Sequence, residues 1–166
     1  MPLILCPTPE QLERTGYDLR DDRLATLADV MPTLLELCDI PVPEHVEGLS
    51  LLGGQRRDYI YGEYNVNDEA TRMVRDGRYK LIYYAVGNRI QLFDLENDPS
   101  ELVDMAEDPR HRETRGYLTE LLVRNLYGSD RDWLAGEELV GMKDPPTTGR
   151  MRPRRDLGGQ RGLRFR

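Results

Sequence analysis

Cysteine and histidine are scarce in this chain. Cys6, Cys38, His45 and His111 are the only residues of their kinds, with no short spacing among them. Two of each so placed do not make a zinc site by themselves, and the sequence alone gives no support for a Cys6–Cys38 disulfide. Long apolar runs are also missing. Nothing approaches the roughly 18 residues that a membrane-spanning helix needs. The opening MPLILCPTPE has a short apolar patch with no basic region before it and does not read as a signal peptide. Hydrophobic residues make up 39% of the 166, below the usual ~45–50%. A chain of this length forms one domain that buries roughly 70% of its unfolded surface, but charged residues reach 32%. The expected core is therefore small, or completed by another chain.

The net charge of −7 is split along the chain. Residues 143–166 hold eight basic side chains against two acidic ones, a net +6 that leaves −13 on the rest. A basic tail suggests nucleic acid or anionic lipid. This one has Pro and Gly but a single aromatic, Phe165, to stack on bases. The favoured reading is a solvated, extended tail or one docked on the acidic body, with no nucleic-acid partner.

Several elements are legible. Pro2–Leu5 reads as a short strand stopped by Pro7 and Pro9, and residues 10–22 as a surface loop or frayed helix. Leu24–Leu27 is a second short strand candidate. Asp29 stands where a helix N-cap belongs, and Pro32 falls in the first turn, where a missing N–H costs little. Met31, Leu34, Leu35 and Cys38 have helical spacing and predict a buried stripe, with Cys38 as a small buried hydrophobe. Pro41 and Pro43 end the element.

Asp58–Tyr64 is a strand candidate leading into the polar segment 65–69. Thr71–Arg75 and Arg78–Ala85 flank Asp76-Gly77, which predicts a type I′ hairpin turn with positive φ at Gly77. Gly87-Asn88 makes a second turn into Ile90–Asp94. Tyr79, Leu81 and Tyr83 share one face of the sheet, and Arg78, Lys80, Ile82 and Tyr84 the other. Asp94–Glu101 is an acidic turn. Asp108-Pro109 opens a helix with Tyr117, Leu118, Leu121, Leu122 and Leu126 as its buried stripe, and Gly128 stops it.

Two stretches carry a family resemblance: Thr71–Glu101, most specific at DGRYKLIYY and QLFDLENDPSEL, and Leu24–Leu52, most specific at DVMPTLLELCDIP and closing on Gly48-Leu49-Ser50-Leu51. They resemble the closing segment of sulfatases of the alkaline phosphatase superfamily. One departure is visible: that family's helix commonly ends in Gly, where this chain has Asp39, which puts a left-handed C-cap in doubt. The resemblance implies an α/β protein, α+β in this portion. Residues 1–53 would be the end of the catalytic domain, contributing an edge strand and helix. Residues 54–142 would form a C-terminal subdomain, a small antiparallel sheet packed by one helix, with residues 143–166 as the tail.

It also implies a parent enzyme that hydrolyses sulfate esters with a calcium ion and a formylglycine nucleophile, both outside this chain. Formylglycine arises from Cys or Ser in C/S-x-P-x-R, but Cys6 is followed by Pro-Thr-Pro-Glu. It reads as an ordinary strand-end cysteine. Asp21-Asp22 lacks the hydrophobic strand that precedes a metal-site pair and reads as a solvated loop pair. Asp94, Glu96, Asp98 and Glu101 have chelating spacing but no sharp-turn Gly, so turn capping is the favoured reading. No catalytic residue and no metal ligand is assigned within the chain. The substrate-lining candidates, implied by the position of this region near the family's cleft mouth, are Glu63, Tyr64, Asn65, Asn67 and His45. The expected partners are the missing N-terminal sulfatase portion and a small sulfate ester. The competing readings are a fragment of a phosphonate or phosphate monoester hydrolase of the same superfamily, and a stand-alone binding module.

Overall fold

The computed structural model describes residues 5–6, 8–15, 22–66 and 69–143. Most of the Pro2–Leu5 strand candidate, Asp21, Asn67 and the basic tail from Asp144 onward lie outside the described residues.

Helix α1 spans Pro9–Thr15 and α2 spans Val30–Leu37. Four strands follow, β1 (Ile60–Tyr64), β2 (Thr71–Arg75), β3 (Tyr79–Tyr84) and β4 (Arg89–Asp94). They form one antiparallel sheet in the order β1-β2-β3-β4. Helix α3 (Arg112–Asn125) lies across β2 and β3, and a short hairpin of β5 (Leu134–Ala135) and β6 (Glu138–Leu139) closes the described chain. No helix among the described residues is long and apolar enough to cross a membrane.

The strand period of two decides what α3 covers. The register Tyr61↔Val74↔Leu81↔Leu92 puts four residues in one row beneath the helix, and Glu63↔Arg72↔Tyr83↔Ile90 in the next. Val74, Leu81, Tyr83 and Leu92 are fully buried against Leu118, Leu121, Leu122, Leu126 and Trp133. Tyr117, expected in that stripe, is exposed instead, because it falls on the side of α3 turned from the sheet. The predicted helix start holds. Asp108 accepts the Arg110 N–H at 3.0 Å, and Pro109 occupies the first helical position of a 3₁₀ turn that runs into α3.

The acidic turn caps itself. Asp94 accepts the Glu96 N–H and the Asn97 side-chain amide, and Asp98 accepts the Leu102 and Val103 N–H groups at 2.7 and 2.8 Å. Short carboxylates at turn starts do this in place of missing ladder partners.

The amino-terminal part departs from expectation in four places. Leu24–Thr26 is not a strand, and Leu27–Asp29 is a 3₁₀ turn leading into α2. Asp29 does not cap forward. Its carboxylate reaches back to the Thr26 N–H at 2.7 Å and across to the Leu49 N–H at 2.8 Å, since the 3₁₀ turn starts the helical run one turn earlier. The apolar stripe is not buried either. Leu27, Met31 and Leu34 are 73%, 46% and 51% exposed, and Cys38 is exposed, because α2 buries Pro32 and Thr33 instead. Finally, Asp39 does adopt the left-handed conformation, with φ 57°. The Ile40 N–H reaches the Leu35 carbonyl at 2.9 Å and the Asp39 N–H reaches that of Glu36 at 3.2 Å, a Schellman closure without glycine.

The hairpin expectation is also corrected. Arg75 pairs with Lys80, so the connection has four residues rather than two. Asp76 Oδ1 accepts the N–H groups of Arg78 and Tyr79 at 2.7 and 2.6 Å, and this side-chain turn leaves Gly77 outside the positive-φ region. In the next turn Gly87 does adopt the left-handed conformation, at φ 76°.

Candidate functional site

The polar segment after β1 is built by its neighbours. Asn65 ends the strand at φ 57°, a conformation Asn tolerates better than most residues. Its side-chain amide donates to Glu69 at 2.6 Å, closing the segment on itself. Tyr64 stands half exposed on the face away from α3. Glu63, on the opposite face, has one carboxylate oxygen 3.1 Å from the exposed Tyr127 hydroxyl and the other 3.8 Å from Arg72 Nε. His45 sits in an exposed turn after α2, with no hydrogen bond or ion pair to this segment among the described residues. Asn67 lies outside the described residues.

The residue that organises this region was not singled out from the sequence. Arg72 is 4% exposed, on the α3 side of β2 between Glu63 and Tyr83. Its Nε donates to Asp130 at 2.5 Å, and its Nη1 lies 3.3, 3.2 and 3.0 Å from the carbonyls of Tyr64, Asn65 and Thr71. The guanidinium lies over Trp133, 5.1 Å from the ring centroid, a favourable cation–π distance. Burial opposes its charge, but the Asp130 hydrogen bond and the nearby carboxylates outweigh this and raise its pKa. The signal was the alternation in Thr71-Arg-Met-Val-Arg75, where Arg72 shares a side with Val74. Beside it, burial pushes the Tyr61 hydroxyl well above its ordinary range, and Glu63 adds to the shift.

A second polar cluster is structural. Asp29 is fully buried, paired with Arg57 and bonded to Leu49 N–H. Thr33 donates to the Asp29 carbonyl at 2.5 Å and accepts the Leu51 N–H at 3.0 Å. These bonds strap the Gly48–Leu51 loop to α2. Burial alone would raise the Asp29 pKa. The Arg57 guanidinium and the two backbone N–H groups prevail and lower it.

Neither cluster contains a nucleophile beside a base. No group of three or more His, Cys, Asp or Glu among the described residues is placed to hold a metal ion. The donor set here does not fit a calcium cage, and Cys6 is outside the formylglycine motif.

The described residues form an antiparallel sheet crossed by one helix and preceded by a helix–loop unit with an open apolar stripe. Residues 1–126 match the family described as N-sulphoglucosamine sulphohydrolase, C-terminal, and the chain belongs to that sulfatase family. It is 34% identical over 125 residues to an arylsulfatase of Clostridium perfringens, covering 72% of this chain and 26% of the relative. It is similar to a solved structure from Bacteroides thetaiotaomicron described as a sulfatase. That match has a TM-score of 0.54 and 30% identity, covering 70% of this chain and 27% of the other. It is also similar to the phosphonate monoester hydrolase of Agrobacterium radiobacter. There the TM-score is 0.50 at 25% identity, over 72% of this chain and 29% of that enzyme. The chain therefore spans about a quarter of the length of the curated relatives it matches.

Proposed function

We propose that this chain is the closing portion of a sulfuric ester hydrolase whose formylglycine nucleophile and calcium site are carried by the rest of the protein. Residues 1–53 complete its catalytic domain, residues 54–142 form its C-terminal subdomain and residues 143–166 a basic extension. Within that assembly, Glu63, Tyr64, Asn65 and Asn67, with His45, line the cleft rim and select among sulfate esters. They do not touch the reacting sulfate.

One observation carries the reading. A chain that matches a family of sulfatase closing segments leaves Leu27, on the 3₁₀ turn before α2, and Met31 and Leu34, on α2 itself, open. Such contiguous apolar surface marks a contact with another part of the assembly. It argues against a self-sufficient binding module, which would close its own core.

The similarity to a phosphonate monoester hydrolase supports a second reading, in which the parent enzyme acts on phosphonate or phosphate esters. Both are tested together. The 166-residue chain and a polypeptide extended by its upstream coding sequence are assayed on an aryl sulfate and an aryl phosphonate ester. The expected result is no turnover by the chain and preferential sulfate hydrolysis by the extended protein. Sulfate turnover by the chain alone, unaffected by Cys6→Ala, overturns the proposal, and a preference for the phosphonate ester selects the second reading.

A further inference from the structure

We propose that Arg72, held by Asp130, is a positioning residue that sets the rim at Glu63–Asn65 and so governs which ester the assembled enzyme prefers. This rests on the reading of that rim as substrate-lining. A guanidinium is expensive to bury, and the neighbouring inward position on β2 is filled by Val74. A core alone would be served by another aliphatic residue. What Arg72 adds is reach. Its Nη1 meets the carbonyls of Tyr64 and Asn65 where the connection leaves β1, and that of Thr71 where the chain enters β2. One side chain thus ties both ends of the connection and steadies Asn65 at its positive φ.

The other half of the device is the segment that follows α3. A 3₁₀ turn, Gly128–Trp133, presents Asp130 to Arg72 Nε and places Trp133 beneath the guanidinium. Just before it, Tyr127 donates to Glu63. The same seven-residue stretch, Tyr127–Trp133, therefore fixes the backbone of the rim and its first carboxylate. Lysine would not substitute. A single ammonium lacks the planar fork that serves Asp130 on one side and three carbonyls on the other.

The test has two arms. In the first, amide hydrogen exchange is measured on the 166-residue chain carrying Asp130→Asn or Arg72→Lys. Exchange at residues 64–66 and 69–71 is expected to rise about tenfold or more, while the amides of Leu81 and Leu92 change less than about twofold. A uniform rise tracking global stability, or no rise, overturns the inference. In the second arm the extended protein is assayed on an aryl sulfate and a sugar sulfate. Arg72→Lys is expected to shift the ratio of kcat/KM values about threefold or more through KM, leaving kcat within about twofold. Glu63→Ala is run beside it. If Glu63→Ala shifts the ratio and Arg72→Lys does not, the positioning inference fails. If neither shifts it while local exchange rises, the rim reading itself fails.

Discussion

Arg78 grips both oxygens of Asp94, with Nε to Oδ1 at 3.0 Å and Nη2 to Oδ2 at 2.6 Å. The pair joins the turn that follows β2 to the turn that follows β4, where Tyr79 lies opposite Asp94 in the ladder. Parallel N–H···O bonds of this kind are stronger and more specific than single ones.

That pairing predicts acid sensitivity. The Arg78 hydrogen bonds, joined by those of Asn97, hold the Asp94 carboxyl well below the usual carboxylate range against the effect of burial. Asp29 is displaced in the same direction. A carboxyl with a lower pKa folded than unfolded contributes stability that is complete above the unfolded value of ~3.9 and is lost as pH falls through the folded value. The melting temperature should hold from neutrality to about pH 5 and drop steeply below ~4. Asp94→Asn should lower it at pH 7 and flatten the acid limb. An unchanged acid limb in that variant would show that the carboxylate is not the source.

The two hairpin turns should differ in how well they tolerate a side chain at their glycines. Gly87 has φ 76° and sits in a turn closed by the Asn88 N–H on the Ala85 carbonyl at 3.2 Å, so Gly87→Val should cost about 1–2 kcal/mol or more. Gly77 has an ordinary φ, and a Cβ there meets nothing within 4 Å. Gly77→Ala should therefore fall within ~0.5 kcal/mol of the parent chain. Denaturant melts of both variants decide it, and equal losses would mean that the Asp76 side-chain turn does not relieve Gly77.

The strap between α2 and the loop after it should be intolerant at two points. A Cβ on Gly48 would lie 2.0 Å from the Ala28 carbonyl oxygen, part of a backbone that cannot retreat, so Gly48→Ala should destabilise by about 1–3 kcal/mol. Asp29→Ala removes the partner of Arg57 and of the Thr26 and Leu49 N–H groups, with an expected loss of about 3 kcal/mol. Near-neutral melts for both would show that the loop is held by other contacts.

The open stripe on α2 and the 3₁₀ turn before it should drive self-association of the isolated chain. Leu27→Ser with Leu34→Ser should raise the monomer fraction in sedimentation or light scattering without lowering the melting temperature, because neither side chain is buried within the chain. In the extended protein the same pair should destabilise, since the stripe is then covered. Unchanged association by the double variant would place the sticky surface elsewhere.

Local chemistry was readable from residue order alone. Asp108-Pro109 starts a helix because a short carboxylate and a proline suit its first turn, whatever the helix packs against. Asp94 and Asp98 cap a turn for the same local reason. Strand alternation put Leu81 and Tyr83 on one face of the sheet, and the resemblance carried by DGRYKLIYY and QLFDLENDPSEL identified the family. The stripe at Met31, Leu34 and Cys38 shows where local reading stops. Helical spacing marks a face as apolar, but whether its partner lies within the chain is a property of the assembly. Asp76-Gly77 stops for another reason. The φ of a turn residue follows from how many residues the register leaves unpaired, and the pairing of Arg75 with Lys80 is settled across the whole sheet. Arg72 is the clearest case. Its type and position in β2 were visible, but its role depends on Asp130, 58 residues away, and only folding brings the two together.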